Sequence, residues 1–521
     1  SRLFVVDTRV TWMAAHADIF LQPRPGTDAA VALGICNVML QEDLYDKDFC
    51  DKWVYGMEAL ADRAAAYSPE IVEKISWVPA DKIVEAARYL GAAGTVALQW
   101  ELPLDQTKWA VGASLAVAAV EVLTGSIDVP GGFVNVKYGH VQSDIRENVS
   151  KGLPNVREGR LGDDGNWGLM NAVGHAIPEA ILDACETEKP YPVKMLFMCS
   201  TTAFTNMAGQ ARRVYDAFSK MDHVVVCDLF MTPTAMAIAD LFIPMAMGCE
   251  RNGVRGWYTP LRSIVKVTQT GEAVGDEQMM LELGKKMNPD LFYWDDVPEM
   301  LEFCTNNMAT VPVQITFNEL KEKVIVYPEF EYYKYKTGKM RKDGQPGFQT
   351  ATGRIELWST FYNAAELDPL PYFEEPEPGP TSTPELFEKY PLVLTTGARR
   401  WSYFHSEHRQ VERLRKMHPD PTVQVHPDML KQLDMVDGEW VWIENQNGRA
   451  KIKIEETPIL SDPRIVACDH AWWRPEGDPE KFFDVFEYNI NNLMIYDPGK
   501  SGFGSNYKTS ICRLYKLEDG E

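Results

Sequence analysis

The chain has 521 residues, of which 45% are hydrophobic and 24% charged, and its formal net charge is −23. A chain of this length exceeds one hydrophobic core, so several domains are expected. The acidic balance argues against nucleic acid or an anionic membrane as a partner, and no apolar run in the sequence reaches the length of a membrane span.

The chain begins with the elements of a nucleotide-binding α/β fold. The apolar run Leu3–Val6 predicts a buried strand that ends at Asp7, and Gly26 precedes a predicted helix over Asp28–Gln41. A carboxylate at a strand end and a glycine at a helix start are typical of folds that bind nucleotides. Because a buried type of strand begins at residue 3, we expect an N-terminal part of the working protein to precede this chain.

Two further stretches continue the alternation of strands and helices. The spacing of apolar residues predicts helices over 79–90, 109–123 and 212–221. Short apolar runs predict strands at 94–100, 193–198, 223–228 and 239–244. The strand at 223–228 ends in Asp228, as the first strand ends in Asp7. Two such units indicate two related nucleotide-binding halves.

The C-terminal part has a different sequence pattern from the α/β region. Residues 368–389 are rich in proline and glutamate and are interpreted as a linker. Short β-type runs separated by turns follow at 392–396, 422–425, 439–444, 449–454 and 464–468. They predict a small β-barrel. We therefore expect an α/β domain at 1–140, a second α/β domain with connecting segments at 141–367, the linker at 368–389, and a barrel domain at 390–521.

The densest polar segment, residues 397–410, directly follows the first of these β-type runs and contains two histidines and three arginines. Such side chains can bind phosphates and a heterocycle through charge-assisted hydrogen bonds. One alternative is a solvated charged loop. Another is a metal site at His405 and His408, although no third ligand accompanies this pair. We favour hydrogen bonding to a cofactor.

The nine cysteines are scattered and none forms a C-x-x-C pair. We therefore expect buried, reduced thiols, and no zinc or iron–sulfur ligand set and no metal ligand within this chain. The sequence also lacks a G-x-G-x-x-G motif, a P-loop and a G-x-S-x-G motif. An ordinary nicotinamide enzyme is accordingly disfavoured.

Several motifs, taken in order, carry a family resemblance. They are Val5–Arg9 with Pro25–Ala30, the turn Leu123–Gly132, the strand end Asp228–Thr232, the E-x-x-G of Glu250–Gly253, Phe404–Arg409 with His470–Trp473, and Asn491–Leu493. In this order they resemble the molybdopterin oxidoreductases of the dimethyl sulfoxide reductase family. Within it, the chain is most similar to the branch of acetylene hydratase, catechol dehydroxylase and pyrogallol transhydroxylase.

The resemblance implies an α/β fold of two dinucleotide-binding-like domains with a C-terminal β-barrel domain. It also implies molybdenum or tungsten on two pyranopterin guanine dinucleotides. The implied cofactor-binding residues are Asp7, Arg9, Gly26, Asp28, Cys199, Asn206, Asp228, Thr232, Gly397, Arg399, His405, Ser406, His408, Arg409, Asn492 and Lys508. The three aspartates would accept hydrogen bonds from guanine; the alternative for each is a helix cap or turn.

In this family a 4Fe–4S cluster and the protein ligand to the metal precede the region matched here. The resemblance therefore places both in an N-terminal part outside this chain. Trp100 and Glu101, just past a predicted strand, are candidates for the substrate channel. An aromatic wall would stack a flat substrate, and a buried glutamate could move a proton. The alternative is a core tryptophan beside a solvated glutamate.

These features together predict the catalytic subunit of an oxidoreductase that acts on a small aromatic, catechol-like substrate. Its electrons would come from an iron–sulfur partner subunit. One alternative is a non-redox hydratase or transhydroxylase on the same cofactor, and another is a degenerate, non-catalytic subunit. The compartment stays open between the cytoplasm and, with a twin-arginine signal, the cell envelope.

Overall fold

The computed structural model describes residues 2–134, 161, 176–207, 211–256, 260–306, 315–327, 330–397, 400–460 and 462–518. Within these ranges, no helix is both long enough and apolar enough to cross a membrane.

The first domain is built around one fully enclosed helix. Its helices are α1 (Asp28–Gln41), α2 (Lys47–Trp53), α3 (Met57–Ala64), α4 (Pro69–Ser76), α5 (Ala80–Gly91), α6 (Leu102–Asp105) and α7 (Ala110–Leu123). Every residue of α1 from Ala29 to Met39 is buried, because α3, α4, α5 and α7 pack around it. A helix that is apolar on all sides is expected to be enclosed in this way. The sequence predicted the bounds of α1 correctly.

Short parallel strands flank these helices. β1 (Phe4–Val6) pairs in parallel with β2 (Ile19–Leu21), so β1 delivers Asp7 at its carboxyl end. Strand β3 (Val54–Tyr55) lies elsewhere in the domain and pairs with a segment from much later in the chain. Asp7 and the start of α1 therefore belong to one compact unit.

The predicted strand at 94–100 is wrong, because this segment forms no strand in the structure. The backbone N–H of Val96 donates to Oγ of Ser126 (2.9 Å), and that of Leu98 donates to Oε1 of Glu121 (3.3 Å). Side chains from α7 and the turn after it thus satisfy donors that a sheet ladder would otherwise use.

The second α/β domain contains a parallel three-stranded sheet. Strands β4 (Met195–Cys199), β5 (His223–Asp228) and β6 (Leu241–Pro244) lie in that order. Its helices are α8 (Pro178–Thr187), α9 (Ala203–Asn206), α10 (Ala211–Phe218) and α11 (Pro233–Ile238). Because β5 is central, Val224–Cys227 are buried, and Asp228 stands at the carboxyl edge of the sheet.

An antiparallel sheet extends this domain. It is formed by β7 (Gly253–Arg255), β8 (Leu261–Ile264) and β9 (Ile325–Val326). The helices that follow are α12 (Asp276–Met287), α13 (Val297–Asn306) and α14 (Phe317–Lys323).

The chain then returns to the first domain. This part contains α15 (Lys334–Thr337), β10 (Ile355–Glu356), α16 (Thr360–Ala364) and α17 (Pro384–Lys389). β10 pairs with β3, and Tyr335, Phe348 and Leu357 join the hydrophobic core around α1. The structure therefore places the end of the predicted 141–367 domain in the core of the first domain.

The C-terminal part is a closed six-stranded barrel, as predicted. Its strands are β11 (Leu392–Thr396), β12 (Thr422–Val425), β13 (Trp440–Asn445), β14 (Gly448–Glu456), β15 (Ile465–Cys468) and β16 (Ser510–Lys516), with the short helices α18 (Glu412–Arg415), α19 (Pro427–Leu433) and α20 (Val485–Tyr488). The order is β11-β15-β12-β14-β13-β16. The sequence analysis missed β16, which closes the barrel by pairing with both β11 and β13.

A buried ion pair attaches the returning segment to the first domain. Asp128, in the turn after α7, is fully buried and pairs with Nζ of Lys334. Its Oδ2 also accepts from the backbone N–H of Lys334 at 2.6 Å. Asp128 has a φ of 57°, a backbone conformation that asparagine tolerates.

We expect Asp128→Asn to destabilise the protein by about 3 kcal/mol, because it leaves the Lys334 ammonium poorly compensated in a buried site. Urea unfolding followed by tryptophan fluorescence measures this loss. The matched control is Asp43→Asn, which breaks an exposed pair with Lys47 and should cost less than about 1 kcal/mol. Equal losses in the two variants would contradict the assignment.

Candidate functional site

Three adjoining cavities form a groove between the first domain, residues 373–378 and the barrel domain. The first cavity, at Gly26 and Asp28, is narrow. The middle cavity, at Asp497 and Asn506, measures about 290 Å³, and the histidine cavity, at His405 and His470, about 200 Å³. The first and middle cavities share Lys108, Asn506 and Thr509, and the middle and histidine cavities share Met494.

Gly26 permits the close approach of three chain segments at the first cavity. Its φ is +80°, and a Cβ there would lie 2.5 Å from Cγ2 of Thr509 and 2.8 Å from Cγ of Pro376. No larger residue fits this backbone without displacing one of the two neighbours. Residues of the predicted linker, Glu374 and Pro376, thus form one wall of the groove.

One carboxylate of the first domain lines this end of the groove, and a second lies near it. Asp28 opens α1 and lines the first cavity. Burial, together with the nearby charge of Asp7, raises the pKa of Asp28 to about 6. Burial also raises the pKa of Asp7, whose Oδ1 accepts from the backbone N–H of Arg9 at 2.9 Å. Both side chains offer hydrogen-bond acceptors.

At the other end of the groove, two histidines are hydrogen bonded to each other. Nδ1 of His405 lies 2.6 Å from Nε2 of His470. The two facing nitrogens can share one proton but cannot each carry one, since two N–H groups would then oppose each other. The pair therefore lines the histidine cavity as one proton-sharing unit.

Arg409 fixes this histidine pair from behind. Its guanidinium donates to the carbonyl oxygens of His405 and His470, both at 3.2 Å. It also lies against the rings of Tyr403 (4.6 Å to the centroid) and Trp472 (4.3 Å). Burial lowers the pKa of Arg409 to about 10. The sequence predicts Arg409 as a cofactor ligand; in the structure its hydrogen bonds support the loop that carries His405.

Asn206 and Ser406 join the second domain to this cavity. Nδ2 of Asn206 donates to Oγ of Ser406 at 3.2 Å. Oδ1 of Asn206 is buried and has no hydrogen-bond partner among the described residues, although Asn206 lines the histidine cavity. An acceptor of this kind fits a ligand that donates a hydrogen bond.

Lys508 brings a positive charge to the same cavity. Its Nζ donates to the carbonyl oxygen of Thr396 at 3.1 Å. A Cβ at Gly397, whose φ is +84°, would collide with that ammonium group. Gly397 thus leaves the room that Lys508 occupies.

A second group of predicted residues lies at the carboxyl edge of the β4-β5-β6 sheet. Burial raises the pKa of Asp228, whose Oδ1 accepts from the N–H of Leu229 at 2.7 Å. Oγ1 of Thr232 caps α11, and Cys199 ends β4. The polar loop after β11 reaches this edge, because Gln410 donates to the carbonyl of Met231 at 2.8 Å.

The charge of Asp228 also reaches this loop. Burial raises the pKa of Glu407, and Asp228 adds to that rise, whereas His408 opposes it. The loop after β11 thus comes near Asp228 at Glu407, while its His405 lines the histidine cavity.

The structure separates four other predicted residues from the groove. Asn492 donates to the carbonyls of Val485 and Phe486 (3.1 Å each), while its neighbour Asn491 lines the histidine cavity. Arg9 donates to Oε1 of Gln424 in the barrel at 3.3 Å.

Trp100 and Glu101 do not line any of the three cavities. Glu101 is exposed and accepts from Nε2 of Gln99 at 3.2 Å. Arg399 lies outside the described residues.

The cysteine prediction needs one correction. Seven of the nine thiols are buried, but Cys199 and Cys249 are exposed. Cys199 is the last residue of β4, an edge strand of the described sheet. In the described part of the chain, no three His, Cys, Asp or Glu side chains cluster as metal ligands.

Several groove residues escaped the sequence analysis. They are Gln106, Lys108, His470, Asn491, Asn506, Tyr507 and Thr509. Of these, His470 and Asn491 lie in the motifs that carry the family resemblance. The remainder carry no local signal, because the groove forms only when residues 106–108 meet the loop before β16.

The fold and the groove define a dinucleotide-binding protein, and comparison with known proteins identifies the class. Residues 1–257 match the Molybdopterin oxidoreductase family model, and residues 392–510 match the Molydopterin dinucleotide binding domain. The chain belongs to the molybdopterin oxidoreductase family, which confirms the predicted family and fold class.

Individual relatives agree with this assignment. Acetylene hydratase of Syntrophotalea acetylenica is 30% identical over 95% of this chain and 70% of its own length. Dopamine dehydroxylase of Eggerthella lenta is 26% identical over 87% of this chain, which matches 52% of that protein. The solved acetylene hydratase from Pelobacter acetylenicus superposes with a TM-score of 0.83 and 28% identity, covering 99% of this chain and 74% of that one.

A pterin dinucleotide, the cofactor of this family, fits the donor set of the groove. The acceptor at Asp28, with Asp7 near it, suits the N–H edge of a purine. Oδ1 of Asn206, which has no partner among the described residues, suits a pterin N–H. Lys508 and the histidine pair suit phosphate or pterin oxygens. When bound, the cofactor supplies a molybdenum or tungsten centre for electron and oxygen transfer.

The raised pKa of Asp28 predicts an unusual stability profile for cofactor-free protein. A carboxyl whose pKa rises from 3.8 to about 6 on folding resists ionisation, so stability falls as pH increases through this range. We expect Asp28→Asn to melt above the wild type at pH 8 and to lose this advantage by pH 4. Differential scanning fluorimetry across pH 4–8 tests this.

The matched control for Asp28→Asn is Asp18→Asn, for which we expect the opposite change in melting temperature at pH 8. Hydrogen bonds from Leu3 N–H and Tyr89 hold the pKa of Asp18 below its usual range. Asp18→Asn should therefore lower the melting temperature at pH 8. If Asp28→Asn also destabilises the cofactor-free protein at pH 8, Asp28 is a structural cap and not a strained binding group.

Proposed function

We propose that this chain is the catalytic subunit of a molybdenum or tungsten enzyme with two pyranopterin guanine dinucleotides, which reduces a small aromatic, catechol-like substrate. The observation that carries the proposal is the pair of strand-end carboxylate sites, one at Asp7 and Asp28 and one at Asp228. The loop after β11 reaches both regions: His405 lines the far end of the groove that begins at Asp28, and Gln410 contacts the sheet edge that carries Asp228.

In this proposal the residues of the chain bind and orient the cofactor. Asp7 and Asp28 accept hydrogen bonds from one guanine, and Asp228 accepts from the other. The histidine pair and Lys508 hold the pterin or phosphate part of the first dinucleotide. Cys199 and Thr232, at the same sheet edge as Asp228, contact the second.

The substrate class rests on similarity to dopamine dehydroxylase, whose name denotes loss of a hydroxyl group from a catechol. Removal of one hydroxyl from a catechol consumes two electrons and two protons and gives a phenol and water. We propose that an iron–sulfur partner subunit delivers the electrons, through a 4Fe–4S cluster in an N-terminal region outside this chain.

A second candidate is hydration without net electron transfer. The similarity to acetylene hydratase, at 30% identity over 95% of the chain and a TM-score of 0.83 for the solved protein, favours it. In that case water adds across an unsaturated carbon–carbon bond, and no electron partner takes part.

The first measurement is the metal, iron and GMP content of native protein purified under anaerobic conditions. The proposal predicts about one molybdenum or tungsten and about two releasable GMP per chain, with about four irons from one cluster. Neither metal nor GMP in matured protein would contradict the proposal and leave a non-catalytic subunit.

Activity assays then separate the two chemistries. Consumption of a catechol that depends on reduced viologen, with one phenol formed per two viologens oxidised, supports reduction. Hydration of acetylene at a rate independent of the amount of electron donor supports the second candidate. Asp228→Asn is expected to lower GMP content in either case, whereas the exposed-site variant Asp43→Asn should not.

A further inference from the structure

Lys108 stands where the first and middle cavities of the groove meet. Its Nζ lies 2.7 Å from Oδ2 of Asp497, and neither side chain is fully buried. Asp497 is itself fixed, because its Oδ1 accepts from the N–H of Gly499 at 3.0 Å. The ammonium group is therefore held at a defined point of the groove wall.

The backbone around Lys108 is clamped by the loop that precedes β16. The N–H groups of Tyr507 and Lys508 donate to the carbonyl of Gln106 at 2.9 and 3.2 Å, and that of Ser505 donates to the carbonyl of Thr107 at 3.2 Å. A Cβ at Gly504 would lie 2.5 Å from the carbonyl oxygens of both Thr107 and Lys108. This glycine allows the loop to pack directly on the segment that carries Lys108.

Lys108 is a positively charged side chain in a part of the groove whose other described charged residues are carboxylates. The described lining of the first and middle cavities includes four carboxylates, those of Asp28, Glu374, Glu377 and Asp497, and one lysine or arginine, Lys108. A dinucleotide carries a diphosphate between its base and its second ring system. Carboxylates repel that group, so it requires a local cation.

We propose that Lys108 binds the diphosphate of the dinucleotide in this groove and that Asp497 is the positioning residue for its ammonium group. The ligand chemistry is a purine nucleoside diphosphate moiety, with its base toward Asp28 and its remainder toward the histidine cavity. This inference rests on the proposed function, because it names one contact within the same cofactor site.

The variants Lys108→Gln, Lys108→Arg and Asp497→Asn test the proposal in the holoenzyme. The readout is the rate at which GMP-containing cofactor leaves the purified protein in concentrated salt. We expect loss about tenfold faster in Lys108→Gln, since a charge-assisted hydrogen bond is removed. Lys108→Arg should stay within about twofold of wild type, and Asp497→Asn should fall between the two.

The control variant is Lys82→Gln, which breaks an exposed pair with Glu85 on α5 and lies outside the lining of the three cavities. It should retain cofactor as the wild type does. Cofactor loss from Lys108→Gln at the wild-type rate would overturn the inference while leaving the proposed function intact. Wild-type protein without metal and GMP would instead contradict the proposed function.

A second measurement uses wild-type protein, so a folding defect in a variant cannot affect its result. Lysine acetylation of wild-type protein with a small anhydride, read by mass spectrometry, compares holoprotein with protein stripped of cofactor. Lys108 should be modified at least about fivefold more slowly in the holoprotein, because a bound diphosphate pairs with its amine and covers it. Lys82 should react equally in both forms, and equal reaction of Lys108 would overturn the inference.

Discussion

Direct contact between three distant chain segments at Gly26 sets the width of the groove on which the rest of the site depends. The backbone of Gly26 touches Pro376 of the returning segment and Thr509 of the barrel domain. A second interaction fixes the position of each partner. Oγ1 of Thr509 donates to Oδ1 of Asn506 at 2.6 Å. The segment of Pro376 is held by the Arg24–Glu375 ion pair, at 2.8 Å. Any side chain larger than hydrogen would separate the walls.

The groove is electrostatically divided along its length, and this division matches a dinucleotide better than a uniform charge would. The carboxylates of Asp28 and Glu374 line the first cavity with Lys108 at its border, and two imidazoles and the ammonium group of Lys508 line the last. The raised pKa of Asp28 indicates that holding a carboxylate there costs folding free energy. Binding sites typically contain a residue that lowers the stability of the fold because its side chain is placed for a ligand.

Local periodicity predicted the elements but not the groove. The bounds of α1, β5, β11 and β12 agree with the sequence prediction, because each is a regular apolar or alternating pattern with a clear end. The segment 94–100 failed because side chains of α7 take its backbone donors.

The site was less predictable than the fold, because its residues depend on geometry rather than on local pattern. A 3-10 turn over Ile490–Leu493 decides that Asn491, and not Asn492, lines the cavity. Arg409 has the chemistry of an anion ligand, yet its position behind the histidine pair follows only from how Tyr403 and Trp472 pack. Residues 106–108 become part of the site only because the loop before β16 packs on them.

The overall charge of the chain makes these local cations decisive. A net charge of −23 opposes the approach of any anionic cofactor, so long-range attraction cannot supply the affinity. Charges more than about 8 Å apart in solvent are largely screened at physiological ionic strength, whereas groups inside a narrow groove interact more strongly. Affinity must therefore come from the few donors that line the groove, and their spacing along it selects a ligand with a neutral, donor-rich ring at one end and oxygen-bearing groups beyond.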